Sequence, residues 1–171
     1  MCMGRRGRFM KELDVMITEA GLNREALVVQ TRVLLRAYER LLWQQSAVAM
    51  GSEAMSMAAT LEEARCGVIV IDRLIDKDQP NPSIGPTRSG NSFVVDLMKQ
   101  ALFMTGCYPE RGATYHTILV HSYFDHDLTD EAAAEKLHLE RSIYYDRKKE
   151  ATALFGYSLF AILLPDVRDM L

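Results

Sequence analysis

Positions that favour burial recur at steps of three and four residues over the first half of the chain, which is the period of an α-helix. The longest run starts at residue 27. Its members are Leu27, Thr31, Leu34, Tyr38, Leu41 and Gln45, with Val28, Leu35 and Leu42 beside them. A stripe this broad predicts a long helix that packs one side into a core. The alternative, which needs the same pattern, is that residues 24–46 form a homodimer interface.

Glycine and capping residues mark the ends of the helices before this stripe. Gly21 suits the end of a first helix over residues 11–20, because glycine tolerates the left-handed conformation that ends many helices. Asn23 suits the N-cap of the next helix. The basic residues 1–10 predict a mobile arm that could touch phosphates.

The middle of the chain mixes helical signals with less regular ones. Residues 47–60 are small and rich in methionine, which suits irregular packing or an adaptable contact surface. Thr60 and Glu63 have the spacing of a capping box. The β-branched run Gly67-VIVID would suit a buried strand, but its neighbours favour a helix.

A segment that is poor in helix-forming residues separates two helical regions. Residues 76–92 hold three prolines and two glycines among polar neighbours, which predicts a loop or linker. It divides an N-terminal helical region, 1–75, from a C-terminal region, 93–171. Ser92 would start a helix there, and Pro109 suits the first turn of the following one. The predicted fold class is all-α.

Candidate chemistry concentrates between residues 130 and 151, which predict two helices joined by a tight turn. Thr129 or Asp127 can cap the first helix, and the small residues 132–134 allow two helices to cross closely. His138 occupies the turn, where a positive φ is expected and histidine is better tolerated than most residues. This layout is typical of a helix-turn-helix that docks in the major groove of DNA.

The second helix has a buried face and a polar face. Tyr144, Ala151, Phe155, Leu159 and Ile162 follow the face predicted to be buried, and Glu140 or Ser142 could cap the helix. The residues predicted to contact DNA are Thr129, Arg141, Ser142, Tyr145, Asp146, Arg147, Lys148 and Lys149. Arginine can bond a guanine edge with two donors, the lysines and Arg147 can neutralise phosphates, and tyrosine can donate to phosphate. Asp146 could read cytosine or orient Arg141 or Lys149.

Composition narrows the remaining possibilities. The formal net charge is −3 over 171 residues, so any basic surface must be local. Three scattered cysteines predict reduced thiols and a cytoplasmic location, with no disulfide framework or zinc site. His116, His121 and His126 fit no zinc spacing. No catalytic motif is present, so we expect neither enzymatic activity nor a bound cofactor or metal. We also expect that no apolar run is long enough to cross a membrane.

The segments Tyr115-HTILVHSYF and AEKLHLERSIYYDRKKEATALFGYSLF resemble the C-terminal part of the ArpU-type phage transcriptional regulators, over roughly residues 93–163. Ile118, Leu119 and Tyr123 match the first helix of that family's pattern. Ser142, Tyr145, Lys148, Lys149, Glu150, Ala151 and Phe155 match its recognition helix. The resemblance implies a sigma-factor-like domain that reads promoter DNA and acts on late or lytic phage genes together with host RNA polymerase.

Two positions depart from that family's pattern. Glu140 stands where a serine is common, and His138 replaces a glycine. A carboxylate at the mouth of a DNA groove repels phosphate. The departures favour an alternative in which the chain is a phage-encoded protein-binding module, an inhibitor of a host complex such as a defence system.

Overall fold

Helices make up all the regular structure that the computed structural model describes, which covers residues 3–46, 57–76 and 88–171. The α-helices are α1 (Met3–Glu19), α2 (Arg24–Ser46), α3 (Met57–Ile75), α4 (Arg88–Gly106), α5 (Gly112–Leu119), α6 (Asp130–Lys136), α7 (Arg141–Tyr157) and α8 (Leu164–Met170). Two π-helical segments, Val120–Phe124 and Ser158–Leu163, follow α5 and α7. The all-α prediction is confirmed.

The centre of the fold is one continuous helix that runs from Arg141 to Met170 through α7, a π-helical segment and α8. Every residue from Glu150 to Gly156 is buried. A helix that is buried on all sides must be surrounded by others, and α2, α4 and α5 pack around this one.

The long stripe on α2 forms part of this core. Leu34, Leu35 and Leu41 have no exposed surface, and Leu27 is buried beside them. At Gly156 a Cβ would lie only 2.2 Å from Thr31 Oγ1, so glycine lets α2 and α7 approach closely. The core interpretation is therefore confirmed for the stripe from Leu27 to Leu41, while the side chain of Gln45 lies outside those that the structure describes. A homodimer through residues 24–46 would have to use the opposite face of α2.

The predicted N-terminal and C-terminal regions share a single core. Helices α3 and α4 pack closely, because Gly90 touches Cys66 and Gly67 faces Phe93. The main apolar cluster runs from Phe9 to Val167. Residues 76–87 thus connect helices that pack together, and residues 88–92 of the predicted linker belong to α4. Residues 77–87, like 47–56 of the methionine-rich run, lie outside the described residues.

Several predicted helix starts were wrong. Helix α1 begins at Met3, within the predicted arm, because Phe9 packs against Tyr108 and Tyr115 with ring centroids 5.0 and 5.6 Å apart. Helix α3 begins at residue 57 rather than 60, and α4 at residue 88 rather than 92. Pro109 lies in a turn before α5.

Capping chemistry at three other ends was predicted correctly. Gly21 has a φ of +71° after α1, and Asn23 Oδ1 accepts a bond of 3.0 Å from the backbone N–H of Ala26. Thr129 Oγ1 accepts one of 3.2 Å from the N–H of Ala132 at the start of α6. The run 67–72 is helical, as its neighbours indicated.

A second, smaller apolar cluster holds α6 against the end of the core. Its buried residues are Ile118, Ala133, Ala134 and Tyr144, with Leu128, Leu137, Leu139 and Tyr145 packed around them. Ala133 and Ala134 thus serve the close packing that their size predicted, whereas Ala132 is half-buried and lies outside the cluster. This cluster positions the candidate site.

Candidate nucleic-acid interface

The site consists of α6, a four-residue turn and the first turns of α7. His138 in this turn has a φ of +53°, as predicted. The turn is closed by backbone bonds of 3.0 Å from the His138 N–H to the Glu135 carbonyl and 2.9 Å from the Leu139 N–H to the Ala134 carbonyl. A non-glycine residue in this conformation costs about 1–3 kcal/mol, which the packing around Leu137 and Leu139 must offset.

A carboxylate at the start of α6 fixes that helix to α7. Lys148 Nζ donates to both oxygens of Asp130 at 2.7 and 3.0 Å, and the Tyr144 hydroxyl donates to one at 3.1 Å. Lys148 Nζ also lies 5.2 Å from the centroid of the Tyr123 ring. Burial raises the pKa of Tyr144 to about 12, and the neighbouring Asp130 carboxylate contributes. The two helices are therefore held by polar bonds as well as by the small cluster.

A second buried carboxylate fixes α7 to α5. Glu150, with a side chain only 5% exposed, accepts from the Tyr115 hydroxyl at 2.7 Å and from Arg147 Nη1 at 2.8 Å. Arg111 Nη1 lies 3.5 Å away, and its guanidinium sits over the Phe9 ring. Burial and the bond to Glu150 raise the pKa of Tyr115 well above its usual value. This cluster fixes the rotation of α7 about its axis.

The opposite side of α7 faces outward and carries five of the predicted contact residues. Ser142, Asp146 and Lys149 are exposed and Tyr145 is half-buried. The Arg141 side chain is 71% exposed, although its Nη2 lies 3.1 Å from Glu131 Oε1. Its guanidinium carbon also lies 5.9 Å from the centroid of the Tyr145 ring. These five side chains form the outer face of α7.

Three other predicted residues lie away from that face. Arg147 and Lys148 are half-buried, and Glu150 and Asp130 already match their charges. Thr129 uses its hydroxyl to cap α6. Glu140 occupies the N-cap position of α7 but makes no side-chain capping bond there. A role for Arg147, Lys148 and Thr129 in DNA contact stays a prediction.

The charge of this region is balanced. Residues 129–149 contain five acidic and five basic side chains. Asp130, Glu131, Glu135, Glu140 and Asp146 oppose Lys136, Arg141, Arg147, Lys148 and Lys149. The unit therefore has no net positive field to attract a polyanion, and binding here would rest on the placement of individual side chains.

A cleft that the sequence did not reveal lies beside the outer face of α7. It has a volume of about 250 Å³ and is lined by Met10, Arg24, Asp146, Lys149 and Glu150. Arg24 Nη1 donates to Asp14 Oδ1 at 2.5 Å, which ties the start of α2 to α1. Arg24 is thus a charged neighbour of Lys149, and only the tertiary packing of α1, α2 and α7 brings the two together.

His121 fastens the loop before α6. His121 Nδ1 lies 2.6 Å from Asp127 Oδ1, and His121 Nε2 lies 3.4 Å from Lys136 Nζ. This hydrogen bond lowers the pKa of Asp127. Among the described residues, no three His, Cys, Asp or Glu side chains are grouped as metal ligands would be.

The expectation that no apolar stretch could cross a membrane needs correction. The continuous helix Arg141–Met170 is long and apolar enough by length and composition. However, 61% of its most apolar 18-residue window is buried inside the protein, as in the core helix of a water-soluble fold. Its apolarity is accounted for by its contacts with α2, α4 and α5.

Comparisons with protein-family models, curated proteins and solved structures find no match to this chain. The resemblance to ArpU-type regulators therefore rests on the residues quoted above and stays a prediction.

Proposed function

We propose that this chain is a DNA-binding transcriptional regulator of the phage type, which places the first turns of α7 in the major groove. The observation that carries the proposal is the division of α7 into two sides. Asp130 and Glu150 hold its inner side in place, while Arg141, Tyr145 and Lys149 project from its outer face. A helix fixed in this way presents its side chains to a groove at little further cost in conformational entropy.

Arg141 is the residue we expect to read bases. Its exposed pair with Glu131 is weak, because ion pairs in solvent are worth about 0–1 kcal/mol. The guanidinium can therefore leave that carboxylate for the two acceptors of a guanine edge. Lys149 would contact phosphate, with Ser142 and Tyr145 as further donors. By the resemblance, the target would be promoters of late or lytic genes, read together with host RNA polymerase.

The test is fluorescence anisotropy with labelled promoter-region duplexes from the gene's own surroundings, at two salt concentrations. With Lys149 as the cation on this face that neutralises a phosphate, the slope of log K against log salt should be about −1, since each such contact contributes roughly −0.9. The double variant Arg141→Ala/Lys149→Ala should lose binding. Arg73→Ala/Lys99→Ala removes the same charge from exposed positions on α3 and α4 and should bind as the unmodified chain does.

The balanced charge of residues 129–149 favours a second candidate, a protein-binding module that occupies a host complex. In that case the acidic residues Glu131 and Glu140 would contact a basic protein surface. No duplex binding at low salt, together with a stable complex with RNA polymerase or another purified host protein, would replace the regulator proposal with this one.

A further inference from the structure

The outer face of α2 carries a second set of basic and aromatic side chains. Arg32, Arg36 and Arg40 follow one another at four-residue steps, and Trp43 comes three residues later. Four residues of helix rise about 6 Å, so the arginines form a row along the axis. Arg36 and Arg40 are exposed and Arg32 is half-buried. These four residues are called the α2 arginine face.

These arginines differ from Arg141, Arg147 and Lys148 of α7, because they have no acidic partner among the described residues. In the described parts of the chain, none of the three forms an ion pair, whereas Arg141, Arg147 and Lys148 each do. The nearby Glu39 lies on the flank of the row, where its carboxylate is 4.0 Å from His126. Arg36 and Arg40, which are exposed and have no acidic partner in the described ranges, are available to an external anion.

Trp43 is exposed to an unusual degree. Its surface is 73% accessible, the highest value among the large apolar side chains that the structure describes. Tryptophan is normally well buried, because its ring is the largest apolar surface a side chain can remove from water. No described cation lies over its ring, and most of the ring surface is accessible to a flat partner.

We propose that the α2 arginine face binds a single nucleic-acid strand, with the arginines on successive phosphates and Trp43 stacked on a base. The guanidinium fork fits phosphate oxygens, and aromatic side chains beside a positive row are the usual means of binding single strands. A single strand offers negative charge and flat rings in alternation along its length. A duplex hides its base faces inside the stack, so it offers Trp43 no partner. This inference stands without the proposal for α7.

The test uses the fluorescence of Trp43, which is the only tryptophan in the chain. The full-length protein is titrated with a 15-nucleotide oligo-dT at low salt, and quenching of the emission is expected on stacking. With a labelled oligo-dT read by anisotropy, Trp43→Ala should weaken binding roughly 5- to 160-fold, the range for loss of one stacked base. Trp43→Phe should recover most of the affinity. Arg36→Ala/Arg40→Ala should weaken binding about tenfold or more and flatten its salt dependence.

The controls separate this face from α7. Arg141→Ala/Lys149→Ala should leave oligo-dT binding unchanged, and Arg73→Ala/Lys99→Ala controls for the loss of two charges. All substituted side chains are exposed, and far-ultraviolet circular dichroism verifies folding. Absence of quenching, or oligo-dT binding that Arg36→Ala/Arg40→Ala leaves intact, would overturn the inference. Two further results would overturn it, because the face would then bind a protein. One is competition by polyglutamate as strong as that by unlabelled oligo-dT. The other is a dimer, detected by light scattering, that becomes a monomer in Trp43→Ala.

Discussion

Replacing Glu150 with alanine tests whether the buried polar cluster holds α7 in place. The substitution leaves the Tyr115 hydroxyl, in a fully buried side chain, without an acceptor, at a cost of about 1–3 kcal/mol. It also leaves Arg111 and Arg147, 19% and 17% exposed, without their shared carboxylate. Removal of one partner of a buried ion pair costs about 3–5 kcal/mol. This cost and the cost of the unsatisfied Tyr115 hydroxyl are not additive, because both arise from the same lost carboxylate.

We therefore expect the free energy of unfolding to fall by about 3–4 kcal/mol. For a chain of this size, each kcal/mol lowers Tm by roughly 2–4 °C, so the expected shift is about 6–16 °C. Glu150→Gln keeps an oxygen that can accept from Tyr115 but removes the charge, and should cost about half as much. Glu135→Ala, at an exposed position on α6, is the matched control and should stay within about 0.5 kcal/mol.

Urea and thermal unfolding followed by circular dichroism measure these differences. A Glu150→Ala chain as stable as the Glu135→Ala control would refute the reasoning. Arg111 and Arg147 would then satisfy their charges with water, and the rotation of α7 would depend on apolar packing alone. The graded order Glu135→Ala, Glu150→Gln, Glu150→Ala is the signature of a charge that is both buried and shared.

Three further predictions concern packing and pH. Gly156→Ala should cost about 1–3 kcal/mol in a thermal melt, because its Cβ would meet Thr31 Oγ1, and Thr31→Ala in the same chain should recover part of the loss. The Tyr144 hydroxyl has a pKa of about 12 in the folded chain, above its unfolded value near 10. The urea concentration at the unfolding midpoint should therefore decrease as pH rises from 10 to about 12, and the decrease should be smaller in Tyr144→Phe. The hydrogen bond to His121 lowers the pKa of Asp127 in the folded chain, so the Asp127 carboxylate stabilises the fold above the unfolded pKa near 3.9 and loses this effect as pH falls further. Unfolding midpoints measured from pH 6 to pH 2 should therefore decrease less in Asp127→Asn than in the unmodified chain.

The helix interiors were predictable because periodicity alone marks a buried face. Leu34, Tyr38 and Leu41 are buried as their spacing required, and no knowledge of their partners was needed. The caps at Asn23 and Thr129 were predictable for a related reason, since each side chain bonds to a backbone group three residues away.

Helix starts that depend on distant contacts could not be predicted. Helix α5 begins at Gly112, where a Cβ would lie 2.3 Å from the carbonyl oxygen of Gly106, so the start depends on how the chain turns back at Pro109. The basic residues at the start of α1 favour a mobile arm, but Phe9, Leu13 and Ile17 recur at four-residue steps and are buried, as a helix requires. That spacing was visible in the sequence.

In the candidate site, the outer face of α7 and the positive φ of His138 were predictable from the sequence. Arg147, Lys148 and Lys149 were predicted together as phosphate contacts, although they do not share one face of the helix. Successive residues on a helix are separated by about 100°, so three in a row must point in different directions. Only Lys149 reaches the outer face. The Arg147–Glu150 pair has helical spacing and could have been found, whereas Asp130 and Lys148 are 18 residues apart and meet only through the fold.

The two proposed surfaces differ in how rigidly their side chains are held and in how much net charge they carry. The outer face of α7 is firmly held but carries little net charge, so it favours discrimination between partners over strong attraction to any polyanion. The α2 arginine face has arginines without an acidic partner among the described residues and an exposed tryptophan ring, which favour attraction with little sequence preference. Removing charge at Arg36 and Arg40 should therefore alter mainly the salt dependence of strand binding, while a change at Arg141 should alter mainly which duplex is bound. A chain that responded identically to both changes would have one binding surface, and the separation drawn between α2 and α7 would be wrong.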